Sequence, residues 1–551
     1  MSRSRLLQVV DNAQNTDVDH PFRQMAVQHS FKVGRLSGGD KRRFRQDFST
    51  RREDGMLRIL GNPKTLCDGL TRRDLLHVGG LGAFGFGLGD FLSAQSTQAA
   101  GVTNTTKFGR AKSCILIYKY GSPAQHETFD PKPEAPVEVQ GEMRPIETAV
   151  PGIEICEHLP KIAQIADKLT VVRSLTHPYP LHGTVYAVSG IPEVDTKIEA
   201  QPRHKRQWPF IGSIVDYLED QRAGGQLPEM PRNVALPFAM GLKTEYPPLA
   251  GPYGAFLGTR YDPVYTDFTE KGTRPAPEVR GKIFHNPYLS IKPSDKLQLA
   301  GDGTRLKELP VKRFDLRRSL LEQFDETRRW MDADERVSTY NLQQQMAYSL
   351  LSSGKIHEAL DYAREPDSVR DEYGMTLFGQ SCIAARRLIE AGSKFVTVIW
   401  DAFGLNAGSW DTHENHYSRL KDYLLPVFDR AFAALLLDLE ARGMLDETLV
   451  LVISEHGRTP KIDSKAKGAG RHHWSRAYSQ VYAGGGMGTG NLIGRTDQVG
   501  GDVEANPISP KDVLATAFHL LGIDPHTTVP NAVGQPMPIT GTGHFRAELL
   551  G

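Results

Sequence analysis

The sequence predicts an α/β fold: a doubly wound, mostly parallel sheet with helices on both faces. Four short apolar runs have apolar residues on both faces, as in strands buried on both sides; they cover residues 114–118, 169–172, 395–400 and 449–453. Helical patterns lie between these runs. Strands that alternate with helices are typical of a parallel sheet covered on both faces.

The helical patterns are amphipathic, and they cover residues 317–331, 342–351, 377–391 and 417–442. The last pattern stops before Gly443, a residue typical of a helix C-cap.

A further helix is expected from Pro510 to Leu521, because Ser509 is a good N-cap and proline is tolerated in the first turn.

Residues 223–315 differ from the rest, since they are dense in proline and glycine and show little periodicity. We interpret them as a long insertion on one edge of the sheet. The insertion either shapes the entrance to a binding site or wraps the fold without a function of its own.

The bulk composition excludes several classes of protein. The chain has 551 residues, of which 39% are hydrophobic and 24% charged, as in ordinary globular proteins. The net charge of +1 gives no reason to expect nucleic acid or an anionic membrane as a partner. Four cysteines are too few for a disulfide scaffold, and no CxxC pair is present to bind zinc through thiolates.

Residues 71–99 have the features of a twin-arginine export signal. Arg72 and Arg73 precede an aspartate, two leucines and a glycine-rich apolar stretch that is too short for a stable membrane span. Small residues suitable for a signal peptidase follow at Ala94 and Ala99. The alternative is a buried glycine-rich helix. The export reading implies contact with the twin-arginine translocase and a periplasmic or extracellular location.

About 70 polar residues precede this signal, which is unusual because an export signal begins near the N-terminus. We therefore expect translation to start at Met56, which leaves residues 1–55 as a disordered or untranslated extension. The predicted organisation is this extension, a signal and linker at 56–105, and one catalytic-type domain at 106–551.

The last third of the chain concentrates residue types that bind metals. In an extended loop, Asp411 and His413 project to the same side. Glu455 and His456 come directly after a buried strand, at the edge of the sheet where open α/β folds bind ligands. The pair His472-His473 follows a glycine-rich stretch. Together these loops predict a site for one or two divalent ions.

Long motifs resemble the DUF1501 family of exported, sulfatase-like proteins. They are WDTH, RGMLDETLVLVISEHGRTP, GRHHW, AGGGMGTGNLIGRTD and SPKDVLATAFHLLGID, together with TFDPKP and LTVVRSLTH nearer the N-terminus. The resemblance covers about residues 110–540. It implies an alkaline-phosphatase-like fold and a site for one or two divalent cations.

Some of the candidate site residues match the family's motifs, and others differ from them. Asp411 and His413 match WDTH, and His473 matches the histidine of the family's GRDHW. Glu455 matches the glutamate of EFGRTP, but His456 stands where the family has phenylalanine and is closer to the Asp-His-Gly motif of the wider superfamily.

Arg458 matches the arginine of the same motif, where it either binds a phosphate or sulfate oxygen or pairs with a carboxylate inside the protein.

The superfamily's metal-ligating aspartate after the first strand has no clear counterpart here. Asp130 is the first candidate, and Glu127 and His126 are weaker ones.

The expected nucleophile position falls on Pro180, which cannot attack an ester. Cys156 lacks the CxPxR context that formylglycine sulfatases need. His182 and Thr184 remain as candidate catalytic residues, with Ser122 a weaker one.

The sequence therefore predicts an exported, metal-dependent hydrolase of phosphate or sulfate esters on a small molecule or polysaccharide. Imidazoles with carboxylates suit zinc or manganese better than calcium or magnesium. The alternative is a non-catalytic protein of the same fold that binds glycan or a surface partner.

Overall fold

The structure is a computed structural model that describes residues 107–224, 226–244, 249–276, 283–300, 354–404 and 409–551. The predicted extension and export signal lie outside these ranges, as do the predicted helices at 317–331 and 342–351. No helix in the described ranges is long and apolar enough to cross a membrane.

The described strands are numbered along the chain. They are β1 Ser113–Lys119, β2 Pro145–Glu147, β3 Glu154–Cys156, β4 Leu169–Leu175, β5 Asn233–Leu236, β6 Val264–Asp267, β7 Gln298–Leu299, β8 Phe395–Trp400, β9 Thr448–Ile453, β10 Gly457–Arg458, β11 His473–Trp474, β12 Tyr478–Ala483, β13 Asn491–Ile493, β14 Arg495–Thr496, β15 Val503–Ala505, β16 Thr528–Pro530 and β17 Pro536–Pro538.

Nine of these strands form one sheet in the order β13-β4-β12-β9-β1-β8-β5-β6-β7. The central run from β9 to β6 is parallel throughout. Strand β12 runs antiparallel to both of its neighbours, so β4 has the same direction as β9. The predicted α/β class with a mostly parallel sheet is confirmed.

All four strands predicted from apolar runs are present, as β1, β4, β8 and β9. Strand β1 shows why both faces had to be apolar. Its Ile115 and Ile117 join one hydrophobic core, and Cys114, Leu116 and Tyr118 join a second core on the opposite face.

The described α-helices, also numbered along the chain, cover both faces of the sheet. They are α1 Val137–Gln140, α2 Pro160–Gln164, α3 Thr184–Val188, α4 Ile211–Arg222, α5 Gly354–Leu360, α6 Asp367–Tyr373, α7 Leu377–Glu390, α8 His416–Arg419, α9 Leu425–Ala441 and α10 Pro510–Leu520. Helices α7 and α9 belong to the first core, and α4 and α10 to the second.

The helix predicted at 417–442 is interrupted, although its C-terminus is as expected. Residues Leu420–Leu424 form a π-helical segment between α8 and α9. Pro426 follows in the first turn of α9, and because it has no N–H it cannot donate the α-helical hydrogen bond to residue 422. Gly443 ends the helix with φ of 69°, a left-handed conformation that suits glycine.

The proline-rich segment expected to be irregular supplies three strands, β5, β6 and β7, at one end of the sheet. These three strands were not predicted from the sequence. Each is only two to four residues long, too short for a clear alternation of side chains.

Candidate metal centre

The carboxyl ends of the parallel strands bring the candidate residues together. Strand β1 leads into Gly121 and Ser122, β4 into His177 and His182, and β9 into Glu455 and His456. The loop that carries Asp411 and His413 and the loop that carries His473 join them from outside the sheet.

Two groups of described side chains have the geometry to hold a metal ion. One consists of His182, His456 and His473, and the other of Asp411, His413 and His473. Within each group the possible ligand atoms lie within 4.8 Å of one another. His473 belongs to both groups.

In the first group, the hydrogen bond of His456 leaves one ring nitrogen free to bind a cation. The Nδ1 atom of His456 lies 2.7 Å from the carbonyl oxygen of Gly457. Because a carbonyl only accepts, Nδ1 carries the hydrogen and Nε2 keeps a lone pair. That Nε2 is buried without a hydrogen-bond partner in the described part of the chain.

His182 is oriented in the same way by a carboxylate. Its Nδ1 lies 2.8 Å from Oε1 of Glu455, and its Nε2 lies 3.5 Å from Oδ2 of Asp411. A carboxylate behind a histidine is the usual support of a metal-binding imidazole. Burial lowers the pKa of His182, but the two carboxylates outweigh it and raise the pKa to about 9.

The second group has spacings close to those of a tetrahedral site. The Oδ1 atom of Asp411 lies 3.0 Å from Nε2 of His413 and 3.4 Å from Nε2 of His473. The two ring nitrogens are 3.0 Å apart. Ligands bonded to a tetrahedral zinc ion at about 2.0–2.1 Å are about 3.3–3.4 Å from each other. A small adjustment would place these three atoms around one ion.

Asp411 faces both groups, since its two oxygens approach His182 on one side and His413 on the other. Burial raises its pKa, but the Arg458 guanidinium and the three histidines hold the pKa well below its usual range. The side chain is therefore a carboxylate.

Glu455 has a role different from the metal binding that the sequence predicted. It was expected to bind the metal, but it belongs to neither ligand group. Its Oε1 accepts from the backbone N–H of Gly121 at 2.7 Å and from His182, and its Oε2 accepts from the Tyr118 hydroxyl at 3.0 Å. Both oxygens are thus engaged, and the carboxylate orients His182.

Arg458 is fully buried, and its guanidinium binds protein oxygens. It donates to the backbone carbonyls of Gly121, Ser122 and Arg471 and, at 2.5 Å, to Oδ1 of Asp411. Of the two roles left open by the sequence, the structure supports pairing with a carboxylate. Arg458 ties the loop after β1 to both ligand loops.

Asp130 is not brought to the ligand groups. It accepts from the Thr496 hydroxyl at 2.5 Å and pairs with Lys132 at 3.0 Å and Arg173 at 3.5 Å. These partners account for the carboxylate, so its expected role as a metal ligand has no support in the structure.

The candidate hydroxyl groups are also buried. Ser122 has φ of 64°, and its Oγ accepts from the backbone N–H of His456 at 3.1 Å. Thr184 opens the short helix α3, where it lies beside the Tyr118 hydroxyl.

His126, a weaker candidate for a metal ligand, contacts the carbonyl of Val499 at 2.8 Å.

His472 takes the outer position of its pair. Its Nδ1 lies 2.8 Å from Nδ1 of His413, and its Nε2 lies 3.2 Å from Oδ2 of Asp463. The side chain is 51% exposed. His472 thus supports His413 from the solvent side.

Several further residues around the centre carry no motif that predicts a role for them. The Nε2–H of His177 donates to the carbonyl oxygen of Glu455 at 2.7 Å, and burial lowers the pKa of His177 to about 4. Asp401 directly follows β8, and burial raises its pKa to about 6. Burial likewise raises the pKa of Glu199 to about 7. Open α/β folds bind ligands at the carboxyl ends of their strands, and this rule indicates Asp401 as a candidate site residue as well as Glu455.

The family model of the DUF1501 proteins, described as proteins of unknown function, matches residues 111–550. The chain belongs to the DUF1501 family. The matched region includes the sheet and every residue of the two ligand groups. No curated protein matches this DUF1501 chain.

Solved structures show only distant similarity. A lipoteichoic acid synthase from Listeria monocytogenes is 10% identical, with 76% of this chain and 74% of that chain covered and a TM-score of 0.34. A sulfatase from Pseudoalteromonas is 10% identical, with 75% and 68% covered and a TM-score of 0.32. A phosphonate monoester hydrolase from Silicibacter pomeroyi is 11% identical, with 78% and 77% covered and a TM-score of 0.31. These scores are too low to carry an argument about activity.

Proposed function

We propose that this DUF1501 protein is an exported, metal-dependent hydrolase of phosphate or sulfate esters carried by a small molecule or polysaccharide. The observation that carries the proposal is the convergence of His182, His456, His473, Asp411 and His413. Four segments distant in sequence supply ring nitrogens and carboxylate oxygens to one place. His456 is buried, the other four side chains are partly buried, and a buried polar atom such as Nε2 of His456 is costly unless it binds a partner.

The donor set fits a divalent transition metal. Imidazoles with one carboxylate suit zinc or manganese better than the harder calcium and magnesium ions, which prefer oxygen. An ion bound here supplies Lewis acidity toward an ester oxygen and toward water.

The protein's own residues hold the donors in place. Glu455 fixes the ring of His182, the Gly457 carbonyl fixes that of His456, and Arg458 fixes Asp411. Such partners set the tautomer and direction of each ligand before an ion arrives.

A formylglycine mechanism has no support. The thiol of Cys156 is buried, and burial raises its pKa to about 12. Ser122 and Thr184 are buried as well, so water is the attacking group in the proposed reaction.

A non-catalytic protein that keeps the ion and binds a glycan or a surface partner is the second candidate. The burial of Ser122 and Thr184 favours it, because neither hydroxyl is presented as a nucleophile. Both candidates predict a bound metal, and only the first predicts turnover.

Metal content and ester hydrolysis separate the two candidates. We expect purified protein to contain stoichiometric zinc or manganese and to hydrolyse aryl phosphate or aryl sulfate esters. His456→Ala removes a buried ligand and is expected to reduce hydrolysis at least about 100-fold. The exposed His526 provides a matched control, since His526→Ala leaves both ligand groups intact.

Protein without stoichiometric metal would contradict both candidates. Metal without hydrolysis would favour the non-catalytic one, and full activity in His456→Ala would exclude this centre as the site of the reaction.

A further inference from the structure

A buried charged network lies directly behind the two loops that carry Asp411, His413 and His473. Its members are Glu127, Arg471, His416 and Thr412, and each is no more than 1% exposed. None of the four belongs to a ligand group.

Glu127 is the centre of this network. The Arg471 Nη2 atom donates to Oε1 of Glu127 at 2.6 Å, and the Arg471 Nε atom donates to the same oxygen at 3.1 Å. The second oxygen, Oε2, lies 3.1 Å from Nε2 of His416. One carboxylate therefore accepts hydrogen bonds from an arginine of one loop and lies within ion-pair distance of a histidine of another.

Two members of the network, Thr412 and Arg471, lie within two residues of the ligands in sequence, and hydrogen bonds connect them to the rest of the network. Nδ1 of His416 lies 2.7 Å from the hydroxyl of Thr412, which stands between Asp411 and His413. Arg471 precedes His473 by two residues, and its backbone N–H donates to the Thr412 carbonyl at 3.2 Å. Movement at Glu127 is thereby transmitted to both loops.

The direction of each hydrogen follows from the chemistry of the groups. A carboxylate only accepts, so the Nε2 hydrogen of His416 faces Glu127, and Nδ1 accepts from the Thr412 hydroxyl. An amide in place of the carboxylate cannot satisfy both partners while His416 keeps this tautomer. If its oxygen accepts from Arg471, its NH₂ group faces the Nε2 hydrogen of His416.

We propose that Glu127 is a positioning residue that sets the separation of the two ligand loops and so the affinity of the centre for its ion. This inference rests on the proposed function, because it assumes that the centre binds a metal. A purely structural ion pair would stabilise the fold without changing metal affinity.

The chain offers such a pair as a matched control. Arg386 on α7 is fully buried and pairs with Asp438 on α9 at 3.0 Å. Asp438 also accepts from the Tyr373 hydroxyl at 2.8 Å. Asp438→Asn removes a carboxylate from a buried arginine, as Glu127→Gln does, but at a helix contact outside the ligand groups.

The test measures zinc affinity of the full chain by competition with a chromophoric chelator, and the visible spectrum of the cobalt-substituted protein. We expect Glu127→Gln to weaken zinc binding about 10–100-fold and to alter the cobalt spectrum, as changes behind metal ligands commonly do. Asp438→Asn is expected to lower the unfolding temperature while its zinc affinity and cobalt spectrum match the wild type.

Thr412→Val provides a second test if Glu127→Gln fails to fold. It removes only the hydroxyl bound to His416, and we expect zinc affinity to fall about threefold or more. Wild-type affinity in every folded variant of Glu127 and Thr412 would overturn the positioning role alone. A wild-type protein that takes up no zinc, manganese or cobalt would overturn the proposed function and the positioning role with it.

Discussion

Single residues at this centre take roles that depend on their hydrogen bonds more than on their type. His456 keeps Nε2 without a hydrogen-bond partner because the Gly457 carbonyl occupies Nδ1, and Glu455 occupies Nδ1 of His182. Glu455 has the chemistry of a metal ligand, but it contacts Tyr118, Gly121 and His182 instead. A sequence reveals which groups can bind a metal, and only their neighbours decide which of them do.

His177 gives the fold a pH dependence that can be measured. Burial lowers its pKa from 6.5 to about 4, so the folded protein keeps the ring neutral where the unfolded chain binds a proton. Its contribution to stability is complete above pH 6.5 and is lost as the pH falls to 4. A shift of this size corresponds to about 3 kcal/mol in the free energy of unfolding.

His177→Gln removes this titration, and its side-chain amide can still donate to the Glu455 carbonyl. We expect metal-free wild-type protein to lose about 3 kcal/mol more than the variant between pH 6.5 and pH 4 in urea unfolding. If the free energies of unfolding of the wild type and the variant change in parallel with pH, His177 does not titrate in this way.

At the scale of elements, strand ends and helix caps follow local rules that can be read from the sequence. The four apolar runs became central strands, and Ser509 caps α10 in a complete capping box with Asp512. The short strands β5 to β7 at one end of the sheet and the π-helical turn before Pro426 were not predicted. Both depend on neighbours across the sheet or on a single backbone irregularity, which periodicity does not report.

The capping box provides a prediction at this scale. Ser509→Ala leaves the Asp512 N–H without its side-chain acceptor and is expected to lower the free energy of unfolding by about 1 kcal/mol. Ser509→Gly should cost only a few tenths of a kcal/mol, because glycine is a tolerated N-cap. Urea unfolding of both variants checks the order; equal losses would mean that the cap hydrogen bond contributes little.

At the scale of the whole molecule, the family match and the described fold occupy one part of the chain. The match begins at residue 111, and the described residues begin at 107. We propose that the preceding segment directs export through the twin-arginine translocase. A metal centre assembled from loops far apart in sequence suits this route, which carries folded proteins.

Export can be tested on the intact gene product. We expect N-terminal sequencing of the exported protein to give a start near residue 100, and replacement of Arg72 and Arg73 by lysine to retain the precursor inside the cell. The same replacement at Arg51 and Arg52 should have no effect, since they precede the proposed start at Met56. Recovery of cellular peptides from residues 5–50 would contradict that start.

The sequence by itself determined the fold class, the four central strands and the residue types of the centre. These features follow from local periodicity and from the rule that ligands gather at the carboxyl ends of parallel strands. Tertiary structure alone decided the roles. It separated Asp130 from the ligands, buried the guanidinium of Arg458 and placed Glu455 behind His182. The physical reason is that a side chain's role depends on which donors and acceptors surround it, and many of those come from other loops far away in the sequence.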